Sequence, residues 1–392
     1  MRVALQEAWE EAQSWSEVAA KITEEFKESV SAEACRSAYR RHLRKMVDNA
    51  VETEKEALIA RVERRELRRL LTERSKTEIV CEALKTAILQ LPPLDPIPKP
   101  NYSDKPFADE HAVLMISDTH IGQKLERSKV AGLWSYNTDI FRSRLRILAA
   151  KLEQIVPRHN YRIPVLHIDF LGDIVEGLLT FKGQMRQVDQ TLLSSAMVAL
   201  EEFTWFIRFC LQLFDVVECE GVPGNHPRVG EKGELDPIDN FDMVAYHFLR
   251  LRFENEPRVK WHISEGAWQI SKVFDWNRCL LHGDVIPSWM SIPFYGIARH
   301  NNNTRTMVDD LAGLHIDTIE LGHFHQPGWL PFGTWGICFL NGSFCGATDL
   351  SINKMRVASA PCQWFYGVSP ERPVTWQYPL VLSDRHETGR SP

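Results

Sequence analysis

Short apolar runs alternate with longer stretches of helical period through the chain after residue 100. The runs are HAVLMISDTH (111–120), PVLHIDFLGD (164–173), VVECEGVPGNH (216–226), RCLLHGD (278–284) and DTIELGHFH (317–325), and FLNGSFCG (339–346) is a further strand and turn. The helix-period stretches between them include 138–156, 189–214 and 241–253. Strands that alternate with helices predict a layered α/β fold, in which ligands gather beyond the carboxyl ends of the strands.

A different pattern precedes this region. The stretch LQLPPLDPIPKPNYSDKP (89–106) contains six prolines, which neither a helix nor a central strand tolerates, and the chain before it has a helical pattern. We therefore expect an extended linker that separates two modules. The predicted segments are a small helical module (1–48), a charged helical segment (49–90), a proline-rich linker (91–107) and the α/β domain (108–385).

Composition is that of a globular protein. The chain has 392 residues, of which 44% are hydrophobic and 25% are charged. The acidic first twenty residues argue against a signal peptide, and no apolar run approaches the length needed to span a membrane. The eight cysteines form no C-x-x-C pair, and several lie in apolar runs, as reduced core thiols do. These features predict a cytoplasmic protein without a membrane partner.

The net charge of −6 conceals a local basic block. Residues 36–76 contain thirteen Lys and Arg against seven Asp and Glu, whereas the part after residue 100 contains twenty-eight against thirty-four. Attraction to a polyanion is therefore expected from residues 36–76 and not from the α/β domain.

Each predicted strand ends in residues that can bind a metal. These strand-end residues are Asp118, His120, Asp173, Asn225, His226, His282, His323 and His325. Carboxylate, carboxamide and imidazole donors without thiolate suit Mn²⁺, Fe or Zn²⁺. Seven ligands among these eight residues would exceed the needs of one catalytic ion, but they suit two ions that share a carboxylate, an arrangement used for displacement at phosphorus.

The motifs DTH, GD, GNH, LHGD and GHFH occur in the order of the calcineurin-like metallophosphoesterase signature, and the chain resembles that superfamily over roughly 112–345. The resemblance implies an α/β/β/α sandwich and two divalent ions, with Mn²⁺ favoured over Fe, Zn²⁺ or Mg²⁺. It implies that a hydroxide bridging the two ions is the nucleophile. One ion would be bound by Asp118, His120 and His325, the second by Asn225, His282 and His323, with Asp173 bridging both. His226 would protonate the leaving oxygen or stabilise the transition state.

Two departures from the family pattern affect the interpretation. Pro227 and Arg228 follow the GNH motif, and Arg228 is either a ligand for a substrate phosphate or a solvated loop residue. The second motif is GDIVEGL, in which Glu176 can orient His226. Gly177 stands where the phosphoprotein-phosphatase branch has arginine. This difference favours the diesterase and nuclease branch.

Other polar and aromatic residues are weaker candidates. His167 and Asp169 lie within the second run, and we expect them to be core groups or to support the ligands. An aromatic set near the last two motifs could stack nucleobases, but core packing is the expected role for most of its members. The set comprises Trp289, Phe294, Tyr295, Trp329 and Trp335.

The segment before the linker predicts three short helices over residues 8–45, with Ser31 as the N-cap of the third. That third helix is similar to the recognition helix of a Myb/SANT-type helix-turn-helix. Its candidate nucleic-acid-binding residues are Arg36, Arg40, Arg41, Arg44 and Lys45. The alternatives are a solvated basic face or a protein-binding module.

We interpret the sequence as a two-metal phosphodiesterase, with a DNA nuclease similar to repair and recombination exonucleases as the leading function. A hydrolase of small phosphodiesters or nucleotides is the first alternative. A DNA-binding protein with a vestigial metal site is the second, although the complete ligand set argues against it. DNA is the expected partner, and the sequence specifies neither a homo-oligomer nor a partner ATPase.

Overall fold

The computed structural model describes residues 14–26, 29, 31–41, 45, 52, 55, 61, 81–82, 84–101, 105–130, 132, 134–178, 180, 183–230, 232–287, 294–348, 352 and 359–383. The chain divides into a smaller unit, Met1–Leu84, and a larger unit, Lys85–Pro392. No helix in the described part of the chain is both long enough and apolar enough to cross a membrane.

The smaller unit contains two described helices, α1 (Trp15–Phe26) and α2 (residues 32–41). Ser31 begins α2, because its hydroxyl accepts a hydrogen bond from Ala34 N at 3.2 Å. Val18, Ala19 and Ile22 of α1 pack against Cys35 of α2. The expected helix before Trp15 and most of the charged segment 49–90 lie outside the described residues. The helix-turn-helix interpretation therefore stays a prediction.

The larger unit contains eleven described strands in two sheets. The first sheet comprises β1 (His111–Ile116), β2 (Val165–Phe170), β3 (Val216–Gly221), β4 (Val259–Ile263), β10 (Cys362–Val368) and β11 (Gln377–Val381). The second comprises β5 (Trp268–Val273), β6 (Trp276–Leu281), β7 (Thr318–Leu321), β8 (Gly328–Phe332) and β9 (Gly336–Leu340). The orders are β11-β10-β1-β2-β3-β4 and β5-β6-β7-β9-β8. β1 to β4 are parallel to one another, as are β6, β7 and β9, whereas β5, β8, β10 and β11 pair antiparallel.

The described helices from residue 84 onward are α3 (residues 84–89), α4 (Thr138–Ile155), α5 (Leu192–Cys210), α6 (Phe241–Arg252) and α7 (Phe294–Ala312). Short 3-10 helices span Arg127–Val130, Val156–Arg158 and Gln184–Arg186. The five strands and three long helices predicted from apolar periodicity are confirmed as β1, β2, β3, β6, β7, α4, α5 and α6. The strand expected at 339–346 lies earlier, as β9.

The two sheets pack face to face between layers of helices. Met115 of β1, Leu280 of β6 and Phe339 of β9 belong to one buried cluster between the sheets. On the outer face of the first sheet, the Phe170 ring lies 5.1 Å from the Phe203 ring of α5. On the outer face of the second sheet, Ile297 of α7 packs into the cluster that contains residues of β6, β7 and β9. The predicted layered α/β/β/α sandwich is confirmed.

The interior between the sheets also holds an ion network centred on Arg278, whose side chain is 1% exposed. Arg278 pairs with Asp169 of β2 and lies 3.2 Å from Glu320 Oε1 of β7. Tyr366 donates to the same Glu320 oxygen at 2.7 Å. His167 lies beside His111, with their ring nitrogens 3.0 Å apart. Asp169 and His167 are thus inter-sheet core groups, as expected.

The proline-rich segment belongs to the larger unit. Residues 92–100 form neither helix nor strand. Three arginines hold this segment by donating to its backbone carbonyls: Arg252 to Pro92 at 2.9 Å, Arg208 to Asp95 at 3.2 Å and Arg258 to Ile97 at 3.1 Å. The segment that was expected to be a linker is thus bound to arginines of the larger unit at these three points. The limits of the predicted segments stay predictions.

Candidate metal centre

The predicted ligands lie in loops that follow the carboxyl ends of five strands. Asp118 and His120 follow β1, Asp173 follows β2, and Asn225 follows β3. His282 directly follows β6, while His323 and His325 follow β7. Since β1, β2 and β3 are parallel neighbours, and so are β6 and β7, the loops meet at one edge of the sandwich.

Five of the predicted ligands adopt a left-handed backbone conformation that residues other than glycine rarely use. The φ angles are 52° for Asp118, 44° for His120, 53° for Asp173, 67° for His323 and 57° for His325. Such a conformation costs of order 1–3 kcal/mol per residue and is concentrated at functional sites. Among the described non-glycine residues, Phe274 is the one other with positive φ. The strain is therefore confined almost entirely to the ligand loops.

The first ligand group brings Asp118, His120 and His325 together. His325 Nε2 lies 3.1 Å from Asp118 Oδ1, and His120 Nε2 lies 3.2 Å from His325 Nε2. Asp118, His120 and Asp173 each place one donor atom within 4.8 Å of the other two. These are the residues predicted to bind the first ion.

The second ligand group contains Asp173, His282, His323 and Asn225. His282 Nε2 lies 3.0 Å from Asp173 Oδ2 and 3.0 Å from Asn225 Oδ1. His323 Nδ1 lies 3.3 Å from the same nitrogen. Because Asp173 belongs to both groups, the structure brings all seven predicted ligands together around one shared carboxylate.

His282 shows that a cation fits this position. Its Nδ1 lies 2.8 Å from the Leu171 carbonyl oxygen, so that nitrogen carries the proton. In the neutral ring, the Nε2 lone pair then faces the oxygens of Asp173 and Asn225. A cation between these atoms would relieve the repulsion between their lone pairs. Burial lowers the pKa of His282, but the charge of Asp173 outweighs it and raises the pKa to about 10. A proton can fill this role, and so can a divalent ion, because nitrogen and oxygen donors suit one.

His226 lies between the shared carboxylate and a buried glutamate. Its backbone N–H donates to Asp173 Oδ1 at 2.7 Å, and its ring Nδ1 lies 3.0 Å from Glu176 Oε1. Its Nε2 lies 4.0 Å from Asp173 Oδ2, so this nitrogen faces the ligand groups. Burial lowers the pKa of His226, but Glu176 and Asp173 outweigh it and raise the pKa to about 9. Two buried carboxylates thus hold the backbone and the ring of His226 beside the ligand groups.

Glu176 has a second contact that the sequence did not reveal. Its Oε2 lies 2.6 Å from His120 Nδ1, in addition to the contact with His226. Gln184 completes the cluster, since its amide N–H donates to Glu176 Oε1 and also lies 3.2 Å from His226 Nδ1. Burial raises the pKa of Glu176, but His226 and His120 outweigh it and lower the pKa to about 2.

Asp242, at the start of α6, is another residue missed from the sequence. One carboxylate oxygen accepts from the backbone N–H of Ile174 at 3.0 Å and of Val175 at 3.2 Å, and the other accepts from Gly224 N at 3.1 Å. The carboxylate thereby joins the loop after β2 to the loop after β3. The available signal was a second acidic residue in the segment IDNFDM, which looks like an ordinary helix start.

Glycines in the motifs allow the loops to approach closely. A Cβ on Gly177 would lie 1.6 Å from the His226 carbonyl oxygen, and one on Gly224 would lie 2.1 Å from Asp173 N. A Cβ on Gly322 would lie 2.9 Å from Asp118 Oδ2. Gly177 is thus a glycine for a steric reason.

The remaining predicted residues lie outside the two ligand groups. Arg228 follows the GNH motif and is partly buried, and its Nε has no hydrogen-bond partner among the described residues. Of the predicted nucleic-acid-binding residues, Arg36, Arg40, Arg41 and Lys45 are exposed, while Arg44 lies outside the described residues.

The expectation that the aromatic residues near the last two motifs pack in the core was wrong for the four described ones. Phe294 is 44% exposed, Tyr295 70%, Trp329 48% and Trp335 65%. Phe294 and Tyr295 begin α7 in the β6–β7 connection, and Trp329 follows the ligand loop after β7, so these three lie toward the ligand-bearing edge. Trp335 lies in the β8–β9 turn. Trp289 is outside the described residues.

No family model and no curated protein sequence matches the chain. Solved structures with similarity include Vps29 from Entamoeba histolytica complexed with Zn²⁺, at 12% identity over 69% of this chain and 99% of that chain, with a TM-score of 0.31. A predicted phosphoesterase from Streptococcus pneumoniae has 8% identity over 69% and 98%, with a TM-score of 0.28. A putative 5'-nucleotidase from Staphylococcus aureus has 11% identity over 71% and 55%, with a TM-score of 0.32. Similarity at this level says nothing about activity.

Proposed function

We propose that the chain is a two-metal-dependent phosphoesterase of the calcineurin-like superfamily, and that its substrates are phosphodiesters. The observation that carries the proposal is the pair of ligand groups that share Asp173. The first site is Asp118, His120 and His325 with Asp173, and the second is Asn225, His282 and His323 with Asp173. With nitrogen and oxygen donors at both sites, Mn²⁺ is the favoured ion.

The reaction would use residues on both sides of the shared carboxylate. The bound ions would generate a nucleophile from water at neutral pH and offset charge on the phosphate oxygens. Glu176 accepts the Nδ1 proton of His226, and the pKa of His226, which Glu176 and Asp173 raise to about 9, would give the ring a second proton on Nε2, the nitrogen that faces the centre. His226 would give that proton to the leaving oxygen. Arg228 would bind the substrate phosphate bidentately.

We favour DNA as the substrate, so that the protein acts as a nuclease. Phe294, Tyr295 and Trp329 offer exposed rings toward the ligand-bearing edge, where bases could stack. The exposed arginines of α2 could bind phosphates in the major groove. Both observations support a polynucleotide over a small molecule.

Hydrolysis of small phosphodiesters is the second candidate. The observation that favours it is that the larger unit contains both ligand groups without any residue of the smaller unit. Full activity on bis-p-nitrophenyl phosphate or cyclic nucleotides, with none on DNA, would support this candidate and refute the nuclease.

One assay separates the candidates. Labelled single-stranded and double-stranded DNA, RNA and a small diester are incubated with Mn²⁺, with Mg²⁺ and with EDTA. We expect cleavage of DNA with Mn²⁺ and none with EDTA. Equal rates with and without EDTA on every substrate would refute metal-dependent catalysis.

A substitution at His226 tests the acid. His226→Ala should retain both ions and lose roughly 10²–10⁴ in kcat on substrates with a poor leaving group. A p-nitrophenolate leaving group needs no proton and should restore much of that rate. Equal losses on good and poor leaving groups would show that His226 is not the general acid.

A further inference from the structure

Glu176 lies at the centre of a buried cluster that joins two parts of the candidate site. Its side chain is 1% exposed. Oε2 lies 2.6 Å from His120 Nδ1, and Oε1 lies 3.0 Å from His226 Nδ1. The His120 and His226 rings are 4.5 Å apart in an edge-to-face arrangement. Because one short side chain reaches both rings, their positions depend on the same carboxylate.

The contact with His120 decides which ring nitrogen can bind an ion. A carboxylate beside Nδ1 fixes the proton there and leaves the Nε2 lone pair free. His120 Nε2 is the nitrogen that faces His325 in the first ligand group. The contact therefore gives His120 the tautomer that a ligand needs, independently of His226.

Two other histidine ligands have different partners at Nδ1. His282 has the Leu171 carbonyl oxygen at 2.8 Å, and His325 has the sulfur of Cys345 at 3.7 Å. Neither partner is a carboxylate. A carboxylate raises the basicity of the imidazole that donates to it, so His120 is the ligand of the three whose electron donation depends most on its partner.

We propose that Glu176 is a shared positioning residue, which holds the metal ligand His120 as well as the proton donor His226 and so links the first metal site to the leaving-group acid. This inference rests on the proposed function. It differs from a role in orienting His226 alone, because it requires Glu176 to act on metal affinity even when His226 is absent.

Metal affinity in two backgrounds tests the proposal. Mn²⁺ binding is measured by calorimetry and by the electron paramagnetic resonance signal of free Mn²⁺ in the wild type, Glu176→Gln, His226→Ala and the double variant. The neutral amide would present its nitrogen or a weaker acceptor to His120 Nδ1. We expect Glu176→Gln to raise one of the two dissociation constants about 10–100-fold in both backgrounds. The other constant should change less than about threefold.

An unchanged pair of constants on going from His226→Ala to the double variant would overturn the proposal. A wild-type protein that binds fewer than two Mn²⁺ would instead refute the proposed function, so the two failures are distinguishable. Glu202→Gln is the matched control, since Glu202 is a carboxylate with 6% exposure that pairs with Arg142 and Arg146 on the helices. It should leave both constants unchanged.

A measurement on the wild type covers the case in which Glu176→Gln does not fold. In protein loaded with diamagnetic Zn²⁺, long-range proton–nitrogen NMR spectra report which nitrogen of each histidine carries the proton. His120, assigned by the loss of its signals in His120→Asn, should carry the proton on Nδ1. A proton on Nε2 of His120 would contradict the proposal.

Discussion

Replacing Gly177 by alanine should displace His226 and slow the reaction without removing the ions. The new Cβ would lie 1.6 Å from the His226 carbonyl oxygen and 2.5 Å from its carbonyl carbon. Real Cβ contacts essentially never fall below 3.0 Å. The loop that contains Gly177 and the loop that contains His226 must therefore separate by about 1.4 Å, the difference between 3.0 Å and 1.6 Å. A misplacement of about 1 Å can cost about 10²-fold in rate. We therefore expect kcat to fall about 10²-fold or more.

The assay compares substrates and includes a matched glycine. The loss should be large on a diester with a poor leaving group and small on one that releases p-nitrophenolate, and metal content should remain near two per chain. Gly266→Ala is the control, because a Cβ at Gly266 meets nothing within 4 Å and its backbone is not in the left-handed region. A rate within threefold of wild type for Gly177→Ala would refute the argument that this contact sets the position of His226.

Three further predictions concern the ions, the basic helix and the inter-sheet network. Asp173→Asn should lower the affinity of the protein for both ions and reduce the rate by orders of magnitude. A metal content near two ions per chain, with activity within tenfold of wild type, would contradict the bridging role. Changing Arg36, Arg40 and Arg41 together to alanine should reduce the slope of log DNA affinity against log salt concentration by up to about three. Hydrolysis of a small diester should stay unchanged. An unchanged slope would mean that α2 binds something else. Burial raises the pKa of Glu320 well above 4.5, and the charge of Asp169 raises it further. The folded protein therefore keeps a proton on Glu320 that the unfolded chain releases as the pH rises through 4.5. The free energy of unfolding should therefore fall from that pH upward, and urea titrations of Glu320→Gln should show a smaller decline; an identical decline would refute a protonated Glu320.

The fold was predictable where each element carried its own pattern. The strands β1, β2, β3, β6 and β7 are short apolar runs that end in polar residues, and the parallel arrangement of β1, β2 and β3 follows from the helices between them. The strands β8 and β11 were not predicted because each contains a proline, Pro331 or Pro379, which edge strands tolerate and central strands do not. The position of a strand at the edge of a sheet cannot be read from the sequence of that strand.

The helix α7 was missed for a different reason. Its sequence contains Gly296 and three consecutive asparagines, residues with low helix propensity. The structure shows that Gly296 is required by tertiary packing, because a Cβ there would lie 2.0 Å from the Pro287 carbonyl oxygen. Packing against the second sheet through Ile297 and Val308 outweighs the weak local preference.

The candidate ligands were predictable because motif order and strand ends coincide, whereas the residues that hold them in place were not. Asp242 accepts from backbone groups of two loops that are distant in sequence, and Gln184 donates to the Glu176 side chain. No periodicity marks such a residue, since its partners are backbone groups or a single side chain. Their roles become visible only when the loops after β2 and β3 are seen side by side.

The strained ligand loops indicate that the protein itself forms the site. Each left-handed ligand residue costs free energy, and the offsetting contacts come from the chain. Asp118 N donates to the Gly172 carbonyl at 3.1 Å, and His120 N donates to the Asp173 carbonyl at 3.0 Å, which joins the first two loops. Asp242 joins the second loop to the third. Because these bonds need no ion, the ligand atoms should be preorganised before metal binds, and the ordering cost at the moment of binding should be small.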